Sequence, residues 1–197
     1  MATIFEDNFN SYNNGDLNGQ GNWAGAVQFD VQGDVVREGA KAIKCSATSG
    51  QNLLISKIGD LTPDGRITFY VRVSNTTYNY YLIMVRNSND TAYAVSLKWQ
   101  GTTLYAYTPD ETPIKTGMEA DKWYQIEMEW RHVDMKARYS IDGGDWTDWL
   151  AREVNNDPGS VRMVNYANGG SIDVYFDYIA ENPIVPPAVG RSHAYIF

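Results

Sequence analysis

Apolar and polar residues alternate with a period of two along most of this sequence. The clearest apolar positions are Ile67, Phe69, Val71 and Val73, followed by Tyr93, Val95, Leu97 and Trp99. A further set is Ile172, Val174, Phe176 and Tyr178. Successive side chains of a β-strand point to opposite faces of its sheet, so this alternation predicts strands with one buried face.

Residues 124–141 are predicted to form an antiparallel hairpin. Its inward positions are Tyr124, Ile126, Met128, Trp130, Met135, Ala137, Tyr139 and Ile141. The polar stretch 131–134 interrupts the alternation and is predicted to turn the chain. Asp142-Gly143-Gly144 then supplies another tight turn, because Asp-Gly pairs tolerate the positive φ angles that such turns require.

The fold class follows from the spacing of these elements. No segment has a convincing helical period, and turn signals recur about every 8–12 residues. We predict an all-β, two-sheet antiparallel jelly-roll sandwich of about twelve to fourteen strands. The chain has 197 residues, which suits a single domain predicted to cover residues 1–180.

Residues 181–197 are predicted to form an extended, proline-rich C-terminal arm. The arm ends in the apolar residues Tyr195, Ile196 and Phe197. Two interpretations are open at this point. The arm is either a flexible tail or a segment that docks on a neighbouring subunit through these three residues.

Composition narrows the range of partners and locations. The formal net charge of −8 repels polyanions, so no nucleic-acid partner is expected. The lone Cys45 excludes an internal disulfide and is predicted to be a small buried thiol. We see no signal peptide and no apolar run long enough for membrane insertion, which predicts virion or cytoplasmic assembly, or extracellular release by a non-classical route.

Several motifs occur in an order that is typical of one superfamily. They are Phe5-Glu6-Asp7, Gly19-Gln20-Gly21-Asn22-Trp23, residues 33–42, Trp123-Tyr124-Gln125-Ile126, Ile141-Asp142-Gly143 and residues 174–179. Together they resemble the concanavalin A-like lectin/glucanase (laminin G-like) superfamily over about residues 4–180. The resemblance implies the jelly-roll fold and no particular ligand.

Some members of this superfamily are glycoside hydrolases that place Glu-x-Asp-x-x-Glu, or a close variant, on one strand. The nearest match, Glu127-Met128-Glu129-Trp130-Arg131, lacks the central Asp and the final Glu. The two histidines, His132 and His193, fall in a predicted turn and in the arm, so neither a catalytic triad nor a two-histidine metal site is expected. We therefore expect a protein that is not an enzyme. Lyase chemistry, in which a Tyr beside an Arg acts as the base, stays open as an alternative.

The resemblance also implies a structural calcium ion. Domains of this kind often tie their first strand to their last through such an ion, and Glu6, Asp7 and Asp177 occupy the corresponding positions. The alternative is that Asp7 and Asp177 accept ordinary hydrogen bonds from the backbone and loops. No other cofactor is expected.

The chain is rich in aromatic residues, and five of them are candidates for a binding surface. These candidates are Trp99, Tyr105, Tyr107, Trp146 and Trp149. Aromatic rings stack on sugar faces and anchor protein interfaces, and they also fill cores, so three interpretations remain open.

Three functions are therefore considered. The first is a non-catalytic structural or decoration subunit of an assembled particle, with a phage virion as the leading case, held by neighbouring subunits of a homo-oligomer, capsid or tail. The second is a lectin-like module that binds cell-surface or environmental glycans. The third is a glycoside hydrolase or polysaccharide lyase, against which the missing acidic motif argues.

Overall fold

The computed structural model describes residues 5–59, 61–77, 79–87, 93–107, 111–152 and 158–183. These residues form sixteen strands, in chain order β1 (Phe5–Asp7), β2 (Gly15–Asp16), β3 (Trp23–Gly25), β4 (Phe29–Gln32), β5 (Ala42–Ala47), β6 (Asn52–Ile58), β7 (Gly65–Val73), β8 (Asn79–Asn87), β9 (Tyr93–Gln100), β10 (Thr103–Tyr107), β11 (Glu111–Lys115), β12 (Tyr124–Arg131), β13 (Lys136–Ile141), β14 (Leu150–Ala151), β15 (Pro158–Tyr166) and β16 (Ile172–Pro183). No helix occurs within this part of the chain.

The described strands pair into two antiparallel sheets. The nine-stranded sheet has the spatial order β14-β13-β12-β7-β16-β5-β4-β2, with β1 paired to β16. The seven-stranded sheet has the order β11-β10-β9-β8-β15-β6-β3. The predicted two-sheet jelly-roll sandwich is confirmed.

The core lies between the two sheets and contains the residues that the alternation predicts to be inward. On the nine-stranded sheet, Phe69 and Val71 are fully buried. On the seven-stranded sheet, Leu97 and Met163 are fully buried. Each of these residues alternates with a more exposed neighbour, so β7, β9 and β15 each present one apolar face to the other sheet.

The predicted hairpin is confirmed, and its register is regular. Strands β12 and β13 pair with Trp130 opposite Ala137 and Ile126 opposite Ile141. Strand β13 begins at Lys136, because Met135 takes a positive φ of 53° in the preceding turn. Asp142 and Gly143 also have positive φ angles, as the predicted tight turn requires.

The last strand departs from the simple alternation at Tyr178. The register of β16 against β7 shifts between Asp177 and Ala180, and Tyr178 has a φ of 42°. This bulge directs Ile179 into the core and leaves Tyr178 half-buried. The prediction that Tyr178 continues the inward row is therefore wrong, since one irregularity reverses the faces of all later residues.

The boundary between domain and arm was predicted at residue 180, and β16 continues to Pro183. The rest of the predicted arm, with the candidate docking residues Tyr195, Ile196 and Phe197, lies outside the described residues. Both interpretations of the arm therefore stay predictions.

Candidate functional site

The outer face of the seven-stranded sheet carries the candidate site. On β15, Val161 and Met163 are buried in the core, and the intervening Arg162 faces outward. Strand pairing places Arg162 opposite Ser56 of β6 on one side and opposite Met84 of β8 on the other. Side chains from three strands that are distant in sequence thus meet around Arg162.

Two adjoining depressions open on this face, with volumes of about 430 Å³ and about 490 Å³. We call them together the Arg162 groove, since Arg162 and Leu54 line both. The first is lined by Asn52, Leu54, Met84, Arg86, Arg162, Val164 and Tyr166. The second is lined by Asn22, Ala24, Leu54, Ser56, Ile58 and Arg162. The groove therefore presents both apolar and hydrogen-bonding side chains.

The guanidinium of Arg162 is held in place by its neighbour. Its Nε donates a hydrogen bond to Ser56 Oγ at 2.9 Å. Arg86 lies on the adjacent strand with only 8% of its surface exposed, and its Nη1 is 3.9 Å from the sulfur of Met84. The groove therefore contains two cationic groups whose side chains are restrained by packing.

Tyr105 and Tyr107 lie on the same outer face, nearer the opposite edge of the sheet. Both are half-buried on β10, and Tyr105 pairs with Lys98 of β9. Two strands separate β10 from β15, so at about 4.8 Å per strand these tyrosines lie roughly 14 Å from the row of Arg162. They border the same sheet face without lining the described groove.

Trp99 does not belong to any binding surface. It is fully buried, its indole N–H donates to the carbonyl oxygen of Gly101 at 2.7 Å, and its ring meets that of Tyr124 edge-on at 5.7 Å. The prediction of Trp99 as a ligand-binding residue is corrected for this reason. Its place in the alternating row of β9 already indicates the core.

Trp146 and Trp149 lie on the other side of the molecule, over the outer face of the nine-stranded sheet. The guanidinium carbon of Arg138 lies 4.8 Å from the ring centroid of Trp146 and 4.6 Å from that of Trp149. Arg66 covers Trp146 at 4.8 Å, and Arg131 covers Trp149 at 3.7 Å. These contacts form a tryptophan–arginine stack that occupies ring faces which a sugar would need.

Glu129 lies beneath this stack and is 3% exposed. It accepts hydrogen bonds from Arg66 at 2.8 Å and from Arg138 at 2.9 Å. Glu127 faces the same way, 3.6 Å from Arg66. The carboxylates of the nearest match to a glycosidase motif, Glu127 and Glu129, therefore form ion pairs on the outer face of the nine-stranded sheet, on the other side of the molecule from the groove.

The residues of the implied calcium site have other partners. Asp7 accepts hydrogen bonds from Tyr12, Trp23, Lys57 and the backbone N–H of Phe9. A lysine ammonium 2.9 Å from a carboxylate competes with a metal ion for it, so this residue does not fit a calcium ligand.

Asp177 is likewise occupied, since it accepts the backbone N–H groups of Arg37 and Glu38 at 2.8 and 2.9 Å. Burial raises the pKa of the Asp177 carboxyl. Within the described residues, Glu6, Asp7 and Asp177 do not form a group that could hold a metal ion, and no other such group occurs there. Calcium binding stays a prediction that these contacts do not favour.

Sequence reasoning did not single out Arg86 and Arg162. The alternation of Val161, Arg162 and Met163 was a usable signal that Arg162 faces outward. Its partners Ser56 and Met84 come from strands that only the sheet order brings together.

Among the described residues, no helix is long and apolar enough to cross a membrane.

Comparison with known proteins supports the fold and gives no close relative. No family model matches the chain, and no curated protein matches it. Solved structures do match. A sialidase superposes with a TM-score of 0.69 at 12% identity, over 92% of this chain and 18% of the sialidase. A structure described for endo-acting O-glycanases of the human gut microbiota gives 0.67 at 10% identity, over 93% and 100%. A Bacillus licheniformis β-glucanase gives 0.65 at 14% identity, over 93% and 99%.

These matches correct one expectation. The prediction that the chain is not an enzyme is contradicted, since glucanases and a sialidase are among the structures that share its fold. At such low sequence identity the structural similarity supports the fold alone and assigns no activity to this chain. The two sheets and these superpositions together show that the chain has the concanavalin A-like jelly-roll fold.

Proposed function

We propose that this protein binds a carbohydrate in the Arg162 groove. The observation that carries the proposal is the mixed lining of the groove, in which Leu54 and Val164 adjoin Asn52, Ser56 and Arg162. Sugars present apolar C–H faces together with hydroxyl groups, so a site that recognises them needs both kinds of surface. The superposed glycan-processing enzymes support the same class of ligand.

The size of the groove suits a short oligosaccharide. Its two depressions, of about 430 and 490 Å³, fall within the range of small-molecule sites. Tyr166 at one end of the lining and Tyr105 and Tyr107 further along the sheet face offer aromatic surface for additional sugar units.

A groove-filling substitution tests the proposal. Leu54 borders both depressions, so Leu54→Trp is expected to abolish binding to glycans that the wild type captures on a glycan array. Val133→Trp is the matched control, since Val133 is 85% exposed on the β12–β13 turn. Retention of all glycan signals by a folded Leu54→Trp protein would place binding elsewhere, and absence of any glycan signal for the wild type would reject the proposal.

Cleavage of the bound glycan is the second candidate, favoured by the match to a β-glucanase over 93% of this chain. Glu127 and Glu129 lie on the wrong face to act on a ligand in the groove. An assay for reducing ends or unsaturated products released from a polysaccharide tests this candidate. Activity that is abolished by Leu54→Trp and retained in Glu127→Gln would support an enzyme whose site is the groove.

A structural role in an assembled particle, such as a phage virion, is a separate proposal. It depends on the arm beyond residue 183 and is independent of the groove. Size measurement of the protein in solution, with and without residues 184–197, tests this proposal. A monomer in both cases would contradict it.

A further inference from the structure

The second depression of the Arg162 groove has an exposed apolar end. Ile58 is the last residue of β6, is 66% exposed, and lines this depression together with Leu54 and Ala24. It is one of three large apolar side chains that are exposed among the described residues, and it alone of the three lines the groove. A single exposed apolar residue is ordinary, but several that border one depression form a surface that an apolar part of a ligand can cover.

A carboxamide lies beside this apolar end. Strands β3 and β6 pair with Trp23 opposite Lys57. Asn22 precedes Trp23 and Ile58 follows Lys57, so the antiparallel register brings Asn22 and Ile58 to the same end of the two strands. Both residues line the second depression. Paired strands lie about 5 Å apart, so one substituent of a ligand can contact both side chains.

The backbone at Asn22 restricts where its side chain points. Gly21 and Asn22 have φ angles of 53° and 67°, and the turn is closed by a hydrogen bond from the Trp23 N–H to the Gln20 carbonyl oxygen at 2.9 Å. Asparagine is favoured at such positive φ angles. The side chain is exposed, and within the described part of the chain its carboxamide has no hydrogen-bond partner. Its donor and its acceptor are therefore open to a ligand.

A carboxamide next to an apolar surface narrows the class of ligand. A carboxamide offers both an N–H donor and a carbonyl acceptor. An acetamido group carries the complementary acceptor and donor, and it ends in a methyl group that can pack on Ile58. A hydroxyl group has no apolar part, and the methyl group of a 6-deoxy sugar has no hydrogen-bonding atom. Each of these two would use only one half of the surface that the depression offers.

We infer that the second depression of the Arg162 groove recognises the acetamido group of an N-acetylated hexosamine. Asn22 forms the hydrogen bonds to this group, and Ile58 contacts its methyl end. The inference rests on the proposed function, because it names the class of sugar that the same groove takes. Strand β3 is the edge strand of its sheet, so the acetamido group lies at the rim while the rest of the glycan follows the groove.

Calorimetric titration of the full chain with matched neutral sugars tests the inference. N-acetyllactosamine and lactose differ only by an acetamido group in place of one hydroxyl, and chitotetraose and cellotetraose differ in the same way in every unit. We expect the acetylated member of at least one pair to bind at least about tenfold more tightly, because it gains hydrogen bonds and an apolar contact. Neither pair carries a charge, so the preference reports on the acetamido group.

Substitutions then locate the effect. Asn22→Gly removes the carboxamide and keeps a backbone that readily adopts a φ of 67°. It is expected to lower affinity for the acetylated sugar about 5- to 10-fold and to leave affinity for the hydroxyl counterpart unchanged. Ile58→Ser should lower affinity for the acetylated sugar about 3- to 5-fold through loss of the apolar contact. Val133→Ser is the matched control, since Val133 is 85% exposed, and it should change neither affinity.

A second variant covers a failure to fold. If Asn22→Gly does not fold, Asn22→Asp decides, because aspartate tolerates the same backbone and lacks the amide donors. The acetylated sugar should again lose about 5- to 10-fold in affinity.

The outcomes separate the inference from the proposed function. Equal affinity or no measurable binding for both members of both pairs overturns the acetamido selectivity. Glycan binding in the groove then stands if an array still shows capture that Leu54→Trp abolishes. A preference for the acetylated sugar that persists in the Asn22 and Ile58 variants also overturns the inference. Failure of every glycan on an array, acetylated or not, overturns both.

Discussion

The indole N–H of Trp23 donates a hydrogen bond to the carboxylate of Asp7 at 2.8 Å, in the interior of the protein. The same carboxylate oxygen accepts from Lys57 at 2.9 Å and from the Tyr12 hydroxyl at 2.5 Å. One buried acid thus ties β1 to the β1–β2 loop, to β3 and to β6. A charge removed from water is stable only when its partners are all present.

Removal of this acid is expected to be costly. Asp7→Ala leaves the Lys57 ammonium and the Trp23 indole N–H without their acceptor, so we expect the free energy of unfolding to fall by about 3–5 kcal/mol. Urea denaturation measures this change, with the exposed Asp34→Ala as control. A loss equal to that of the control would show that the cluster contributes little.

Trp99 and Tyr105 are expected to respond differently to truncation. Trp99 is fully buried, and Trp99→Ala should lower the free energy of unfolding by about 3–5 kcal/mol through cavity formation. Tyr105→Ala, on the outer sheet face, should cost about 1 kcal/mol or less. Thermal and urea unfolding of both variants checks the assignment, and a reversed order would contradict it.

The Cys45 thiol is expected to be inert in the folded protein. It is fully buried, and burial raises its pKa to about 12, so the reactive thiolate is scarce at neutral pH. Ellman's reagent should label it slowly under native conditions and rapidly in guanidinium chloride. Rapid labelling of the native protein would indicate that the β4–β5–β16 region opens readily.

Glu181 is expected to make stability depend on pH. Burial raises the pKa of its carboxyl above the usual 4.5, so the folded protein holds this proton more tightly than the unfolded chain. The contribution of Glu181 to stability is therefore largest at low pH and decreases as pH rises from 4.5 through the folded pKa.

The variant Glu181→Gln mimics the protonated form and keeps an oxygen to accept from the Thr62 hydroxyl and N–H. It should be more stable than the wild type at pH 7, with the difference vanishing as pH falls towards 4.5. Glu119→Gln controls for loss of one exposed carboxylate. A Glu181→Gln protein that is less stable at pH 7 would contradict the prediction.

Ser56 is expected to act as a positioning residue in the groove. Ser56→Ala removes the acceptor that holds Arg162 Nε at 2.9 Å, and we expect affinity for the bound glycan to fall about 3- to 10-fold. Stability should change little, because Ser56 is only half-buried. Ser56→Thr retains the hydroxyl and should restore binding, and failure of that rescue would separate affinity from the hydrogen bond.

Alternation predicted the fold well where strands are regular. The rows through Phe69 and Trp130 correctly identified the inward faces of β7 and β12, because burial of one face imposes a strict period. The bulge at Tyr178 was missed because it reflects a fit between β16 and β7, and tyrosine carries no local preference for a positive φ.

The site was harder to predict than the fold. Arg162, Ser56 and Met84 are far apart in sequence, and only strand order and register make them neighbours. Trp146 and Trp149 were also hard to interpret from sequence. Their residue type suggested stacking on a sugar, whereas in the fold Arg66 and Arg131 cover their rings. Residue type indicates what a side chain can do, and topology decides which partner it meets.

The position of β16 has a consequence for the synthesis of this protein. It lies between β7 and β5, and it is also the partner of β1, so the strand that is synthesised last among the described ones joins two parts of its sheet that are otherwise separate. Until β16 has been synthesised, its partner strands β1, β5 and β7 have backbone N–H and C=O groups without their β16 partners. Translation of at least 176 residues separates the synthesis of Phe5 from that of its partner Glu181, a delay during which chaperones or neighbouring nascent chains have access to those edges.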